Sequence, residues 1–180
     1  MNLVQPIRDP EKIQAMKDYL KQKSDRDYIL FLLGIGTGLR ISDILKLKKE
    51  DLIDTHVSIR ETKTRKQKRI RITPSIRKEL LEYLKGFDDW EYVIQSRQGD
   101  NKAIDRSTAY RILREAAQHV RLREIGTHTL RKTFGYHFYK QTKNVAMLQE
   151  IFNHSSPAIT LRYIGINQDN MDEAMMSYRI

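Results

Sequence analysis

Cysteine is absent from this 180-residue chain, which excludes disulfides and any thiolate metal site and leaves an intracellular setting open. Proline is scarce, at four residues, and no stretch rich in Pro, Gly or Ser marks a linker. The chain therefore reads as one compact domain, or at most two small lobes. Long apolar runs are missing too. The longest, from Tyr28 to Ile35, is far too short to cross a bilayer, and the N-terminus has no signal-peptide pattern, so a soluble cytoplasmic protein is expected. Acid is in deficit: 23 Asp and Glu stand against 33 Lys and Arg, a formal charge of +10. Nor does the sequence carry the carboxylate cluster that a metal-dependent nuclease needs.

The bases run through most of the chain rather than forming one tail, which favours a polyanion as partner. Apolar spacing predicts a mainly helical (α+β) domain with one small antiparallel sheet of three strands. A first helix follows Asp9-Pro10-Glu11 and ends near Lys23. A second, very apolar helix opens at Ser24 or Asp25 and is loosened and ended by Gly34, Gly36 and Gly38. A third spans Ile41 to about Lys48. Thr55 to Arg60, Ile70 to Ile72 and Tyr92 to Gln95 are the expected strands. The dense basic segment between the first two is then an exposed hairpin end on a firm base. Further helices are expected from Pro74, from a Ser107 cap to about Val120, from a Thr127 cap to about Lys140, and from Lys143 to Phe152.

Gly34-Ile35-Gly36-Thr37-Gly38 suggests a nucleotide loop but fails as one. Leu39 stands where the dinucleotide fingerprint needs Gly, and the segment ends a helix instead of following a strand. Its glycines serve better to turn the chain and deliver Arg40 to a surface. Arg40 and Asp43, three apart, share a helix face, as do His128 and Arg131. An arginine fork can hold two phosphate oxygens while a neighbouring imidazole moves a proton near neutral pH. His154 and Tyr163, nine residues apart, would lie about half a turn apart on one straight helix. Pro157 changes that. A helix ending near Asn153 and a new one capped by Ser155-Ser156-Pro157 would fold His154 back towards Tyr163.

Taken in order, the Arg, hairpin Lys, His-x-x-Arg, His and Tyr are more specific than any one piece. Thr37-Gly38-Leu39-Arg40-Ile41-Ser42-Asp43 resembles the first arginine box of the tyrosine recombinases, the phage-integrase family, and Thr127-His128-Thr129-Leu130-Arg131-Lys132-Thr133-Phe134 resembles its second. Asn153-His154-Ser155-Ser156 and Thr160-Leu161-Arg162-Tyr163 are similar to its histidine turn and nucleophile segment. The resemblance runs from about Lys12 to the end. It implies that residues 1–180 form one recombinase catalytic domain without the separate N-terminal core-binding domain that closes the clamp on DNA. On that view the chain is either a fragment of a longer recombinase or a short form similar to the fimbrial phase-switch invertases. One departure is Asn153, where relatives usually carry Gly; Asn also tolerates the left-handed conformation.

What the resemblance implies is a site-specific recombinase acting on duplex DNA with no metal, ATP or other cofactor. Tyr163 would attack the scissile phosphate to give a 3′-phosphotyrosyl bond and a 5′-hydroxyl. Arg40 and Arg131 would hold the non-bridging oxygens, His128 would act as base or hydrogen-bond partner, and His154 as a further phosphate donor. Lys63 would protonate the leaving 5′-oxygen, with Lys66 and Lys68 close enough to leave that choice open. Asp43 would orient Arg40, while Lys66, Lys68, Arg69 and Lys132 would contact DNA. The tail over residues 166–180 carries Met171, Ala174, Met175 and Tyr178 on one helical face and Asp169, Asp172 and Glu173 on another. In this family such a tail docks on a neighbouring protomer, implying a homo-oligomer, a tetramer on DNA, with DNA-bending accessory proteins as possible further partners. Two rivals remain: a type IB topoisomerase-like nick-and-reseal activity, and a catalytically silent DNA-binding regulator with the same fold.

Overall fold

The computed structural model describes residues 4–52, 55–63, 65–123, 125–126 and 128–179. Helix α1 (Pro10–Lys23) begins as the sequence predicts, the Asp9 carboxylate accepting from the Glu11 amide at 2.8 Å and Pro10 filling the first turn. It lies against α2 (Asp25–Thr37), whose Ile29 to Leu33 are all buried, so this helix crosses the centre of the domain. Gly34 does not loosen α2; it sits inside the helix. A Cβ there would fall 2.8 Å from Leu130 Cβ, so the missing side chain lets another helix approach directly. Gly38 is the stop, with φ 65° in the left-handed region that closes helices.

Helix α3 (Ile41–Ile44) is shorter than expected. Leu45 and Leu47 must both enter the core, and residues two apart cannot share a helix face, so the chain tightens into i→i+3 bonds from Lys46 to Asp43 and from Leu47 to Ile44. A one-turn 3₁₀ helix (Lys49–Leu52) leads to β1 (His56–Arg60), which pairs antiparallel with β2 (Gln67–Arg71) in the register Val57 to Ile70 and Ile59 to Lys68. The expected third strand is a correction: among the described residues the sheet has two. Val93 and Ile94 are consecutive and fully buried, and the Tyr92–Gln95 segment divides its bonds between Leu47 on one side and Ile104 on the other. Neither partner continues far enough to make a ladder.

Helix α4 (Pro74–Tyr83) opens on Thr73, and α5 (Arg106–His119) on Asp105 rather than Ser107, because the aspartate accepts from the Thr108 amide at 2.7 Å while the Ser107 hydroxyl donates to it. Helix α6 (Thr129–Thr142) follows His128 as N-cap residue; the expected cap, Thr127, lies outside the described residues. Lys143 ends α6 in a left-handed conformation, so α7 (Val145–Phe152) starts two residues later than expected, on an Asn144 cap. Helices α8 (Pro157–Ile164) and α9 (Ile166–Ser177) complete the chain. Two apolar clusters result: a larger one around α2, and a smaller one of Tyr136, Leu148, Phe152, Ile164 and Ile166 joining α6 to α9. No described helix is long and apolar enough to cross a membrane.

Candidate active site

The left-handed Gly38 turns the chain off α2, and Thr37 secures the turn by donating to the Leu33 carbonyl at 2.6 Å. Arg40 follows at the head of α3, half-buried, with Nη1 3.0 Å from Glu61 Oε1 and 4.0 Å from Asp43 Oδ2. Asp43 is buried, and its own hydrogen bond goes elsewhere: Oδ1 accepts from the Thr62 amide at 2.8 Å, fixing the chain as it leaves β1. Arg131, on the first turn of α6, is 3% exposed. Its guanidinium lies over the Phe152 ring and donates to the carbonyls of Gly38 at 2.5 Å and Phe152 at 2.9 Å. Burial brings its pKa down to about 10, which leaves it charged at neutral pH. This single side chain thus joins the turns after α2 and α7, with Arg40 two residues beyond the first.

The break at the end of α7 does what Pro157 predicts. Asn153 is left-handed, with φ 53°, and the His154 amide returns to the Gln149 carbonyl at 3.0 Å. Ser156 then caps α8, bringing the His154 ring to 5.1 Å from that of Tyr163. The Thr160 hydroxyl can donate to the Ser156 carbonyl at 3.3 Å, which makes it an acceptor for a proton on His154 Nδ1, 3.0 Å away. Burial and the Arg131 charge lower His154 to about 4, so it is neutral at physiological pH. Tyr163 is half-buried, its hydroxyl 3.2 Å from His128 Nδ1. Burial pushes the phenol up, with Arg131 and Arg40 opposing, while desolvation and Arg131 push His128 down. A protonated phenol thus faces an unprotonated imidazole able to accept its proton.

The structure brings Arg40, His128, Arg131, His154 and Tyr163 together. The basic residues divide. Lys63 is exposed on the turn after β1, as are Lys66 and Arg69 further along the hairpin, whereas Lys68 on β2 turns inward. Its Nζ donates to Glu61 Oε1 at 3.2 Å and to the Ile151 carbonyl, and burial lowers its pKa against the pull of Glu61. Lys132 is half-buried, donating to the Val4 carbonyl at 2.7 Å with its ammonium 5.1 Å from the centre of the Tyr163 ring. Sequence reasoning missed Glu61 and the side chain of Asn153, which donates to Glu61 Oε2 at 2.7 Å. A lone acid opening a basic run was the available signal for Glu61.

A nucleophile-sized hydroxyl among two arginines and two neutral imidazoles, mounted on helix ends around a β-hairpin, is the arrangement of a tyrosine recombinase catalytic domain. The chain belongs to the phage integrase family, whose model matches residues 8–170. It is 55% identical over 170 residues to the probable integrase/recombinase YoeC of Bacillus subtilis (strain 168), covering 94% of this chain and 93% of that one. Of the further curated tyrosine recombinases that it matches, it spans 59% to 64% of the length. Its fold overlays the crystal structure of XerA recombinase with TM-score 0.77 at 20% identity, covering 98% of this chain and 66% of that one. It overlays a lambda integrase tetramer bound to a Holliday junction with TM-score 0.72 at 16% identity, over 91% and 49%.

Proposed function

We propose that this domain cuts and rejoins duplex DNA through a 3′-phosphotyrosyl intermediate, with Tyr163 as nucleophile. The observation that carries this reading is the Tyr163 hydroxyl held 3.2 Å from His128 beside Arg131. Tyr163 Oη forms a bond to phosphorus while its proton passes to His128; the bond from phosphorus to the 5′-oxygen breaks, and that oxygen leaves with a proton from a hairpin lysine. One phosphoester replaces another, so the energy needed for rejoining is kept and ATP has no part. Arg40 and Arg131 stabilise the charge that gathers on the non-bridging oxygens, and His154 joins them as a phosphate donor. Asp43 supports the site through the backbone leading to Lys63.

Lys63 is the proposed acid, delivered when DNA seats beside the hairpin. Lys68 already donates to two acceptors, the buried Glu61 carboxylate and the Ile151 carbonyl, which suits a strut better than an acid. A substrate with sulfur at the bridging 5′ position leaves without protonation, so it should restore cleavage by Lys63→Ala and fail to restore Lys68→Ala; the opposite pattern would exchange their roles. Lys66, Arg69 and Lys132 are assigned to DNA contact. The working form is a homo-oligomer on DNA, a tetramer in which the α9 tail packs on a neighbouring protomer, in the cytoplasm. The test is formation of SDS-resistant adducts on sheared DNA of the source organism in the presence of EDTA. Wild type should form them and Tyr163→Phe should not, while both bind DNA; adducts that persist in the variant would defeat the reading.

A further inference from the structure

We propose that Glu61 is a positioning residue of this active site, its carboxylate fixing Arg40 beside Lys68 and, through Asn153, locking the base of the hairpin to the turn that carries His154. Glu61 is 1% exposed. One oxygen receives Arg40 Nη1 at 3.0 Å and Lys68 Nζ at 3.2 Å, and the other receives Asn153 Nδ2 at 2.7 Å. Those partners come from three separate parts of the chain, the head of α3, β2 and the end of α7. A carboxylate at their meeting point offsets the cost of grouping Arg40, Arg131 and Lys68 out of water. It leaves most of the five N–H donors of Arg40 available to a phosphate. Lys68 reinforces the same joint from β2, since its ammonium also reaches the Ile151 carbonyl, three residues before His154.

Asn153 is the informative partner. Its left-handed backbone would suit Gly at least as well, but Gly has no amide to give Glu61. The bond is therefore separable from the turn. The inference rests on the recombinase reading, and Asn153→Gly and Glu61→Gln test it on the duplex recovered from captured adducts. Adduct formation is measured as a rate at saturating DNA, with DNA affinity and the thermal midpoint measured alongside. Asn153→Gly should keep both affinity and midpoint and slow the chemical step about ten- to a hundredfold, the penalty of a misplaced reacting group. Glu61→Gln, which keeps the shape but removes the charge between the cations, should slow it at least as much and alter its pH profile. Wild-type rates in both variants would overturn the proposal. So would a loss in Asn153→Gly matched by a fall in thermal midpoint, which would make the amide a contact of the fold. No adducts from the unaltered chain would instead remove the recombinase reading itself.

Discussion

His154 illustrates how far neighbours set the chemistry of one side chain. In the unfolded chain its pKa is near the ordinary value of about 6.5. In the site, burial and the Arg131, Arg40 and Lys68 charges bring it to about 4. A depressed folded value means that the unfolded chain binds the proton more readily, so the stability associated with neutral His154 is complete above about pH 6.5 and lost as pH falls towards 4. Unfolding midpoints at pH 7.5 and 4.5 should thus fall further for wild type than for His154→Gln; equal falls would contradict the assigned environment. The same reasoning bears on catalysis. A phosphate diester adds negative charge beside the cations and draws the His154 pKa upward, turning an imidazole that accepts at Nε2 into one able to donate.

The helix ends explain why the site was largely legible in the sequence. Arg40, Arg131, His154 and Tyr163 each follow or precede a residue whose local role can be read: Gly38 as a stop, a helix opening beside His128, Asn153 as a left-handed cap, Pro157 as a restart. Side-chain partners across the chain were not legible. Asp43 was assigned to Arg40 from i, i+3 spacing, yet the close carboxylate is Glu61, brought near by the hairpin's packing against α3 and the end of α7. The third strand failed for the related reason that Val93 and Ile94 read as strand residues while their bonding partners lie on two different segments. The tightest test at this scale is the α2–α6 contact. A methyl group at Gly34 would fall 2.8 Å from the Cβ of Leu130, the residue before Arg131, so something in the α2–α6 contact must shift. Gly34→Ala should cost about 1–3 kcal/mol, the usual penalty of overpacking, seen as a lowered midpoint in urea unfolding. An unchanged midpoint would mean that α6 shifts at no cost.

For the whole molecule, charge and apolar surface divide the work. On the proposed reading, a net charge of +10 would make phosphate contact the main source of DNA affinity, with release of counterions on binding. If about six to ten phosphates are contacted, affinity should drop about 10³- to 10⁵-fold between 50 and 200 mM salt. A flat response would argue against a phosphate-dominated interface. Helix α9 is pinned at its base by buried Ile166 and by the 2.8 Å Arg8 to Asp169 ion pair, while Met171, Met175, Met176 and Tyr178 stand exposed beyond it. That apolar end is the surface assigned to a neighbouring protomer. The order of the candidate catalytic pieces, which no local pattern carries, was the strongest sequence signal because it spans the chain. All of it converges on one atom, the hydroxyl oxygen of Tyr163. Its role is read most directly by trimming captured adducts with nuclease and mapping the remaining phosphonucleotide by peptide mass spectrometry. The account predicts the added mass on the peptide containing Tyr163; a nucleotide on another tyrosine, such as Tyr110 or Tyr139, would contradict it.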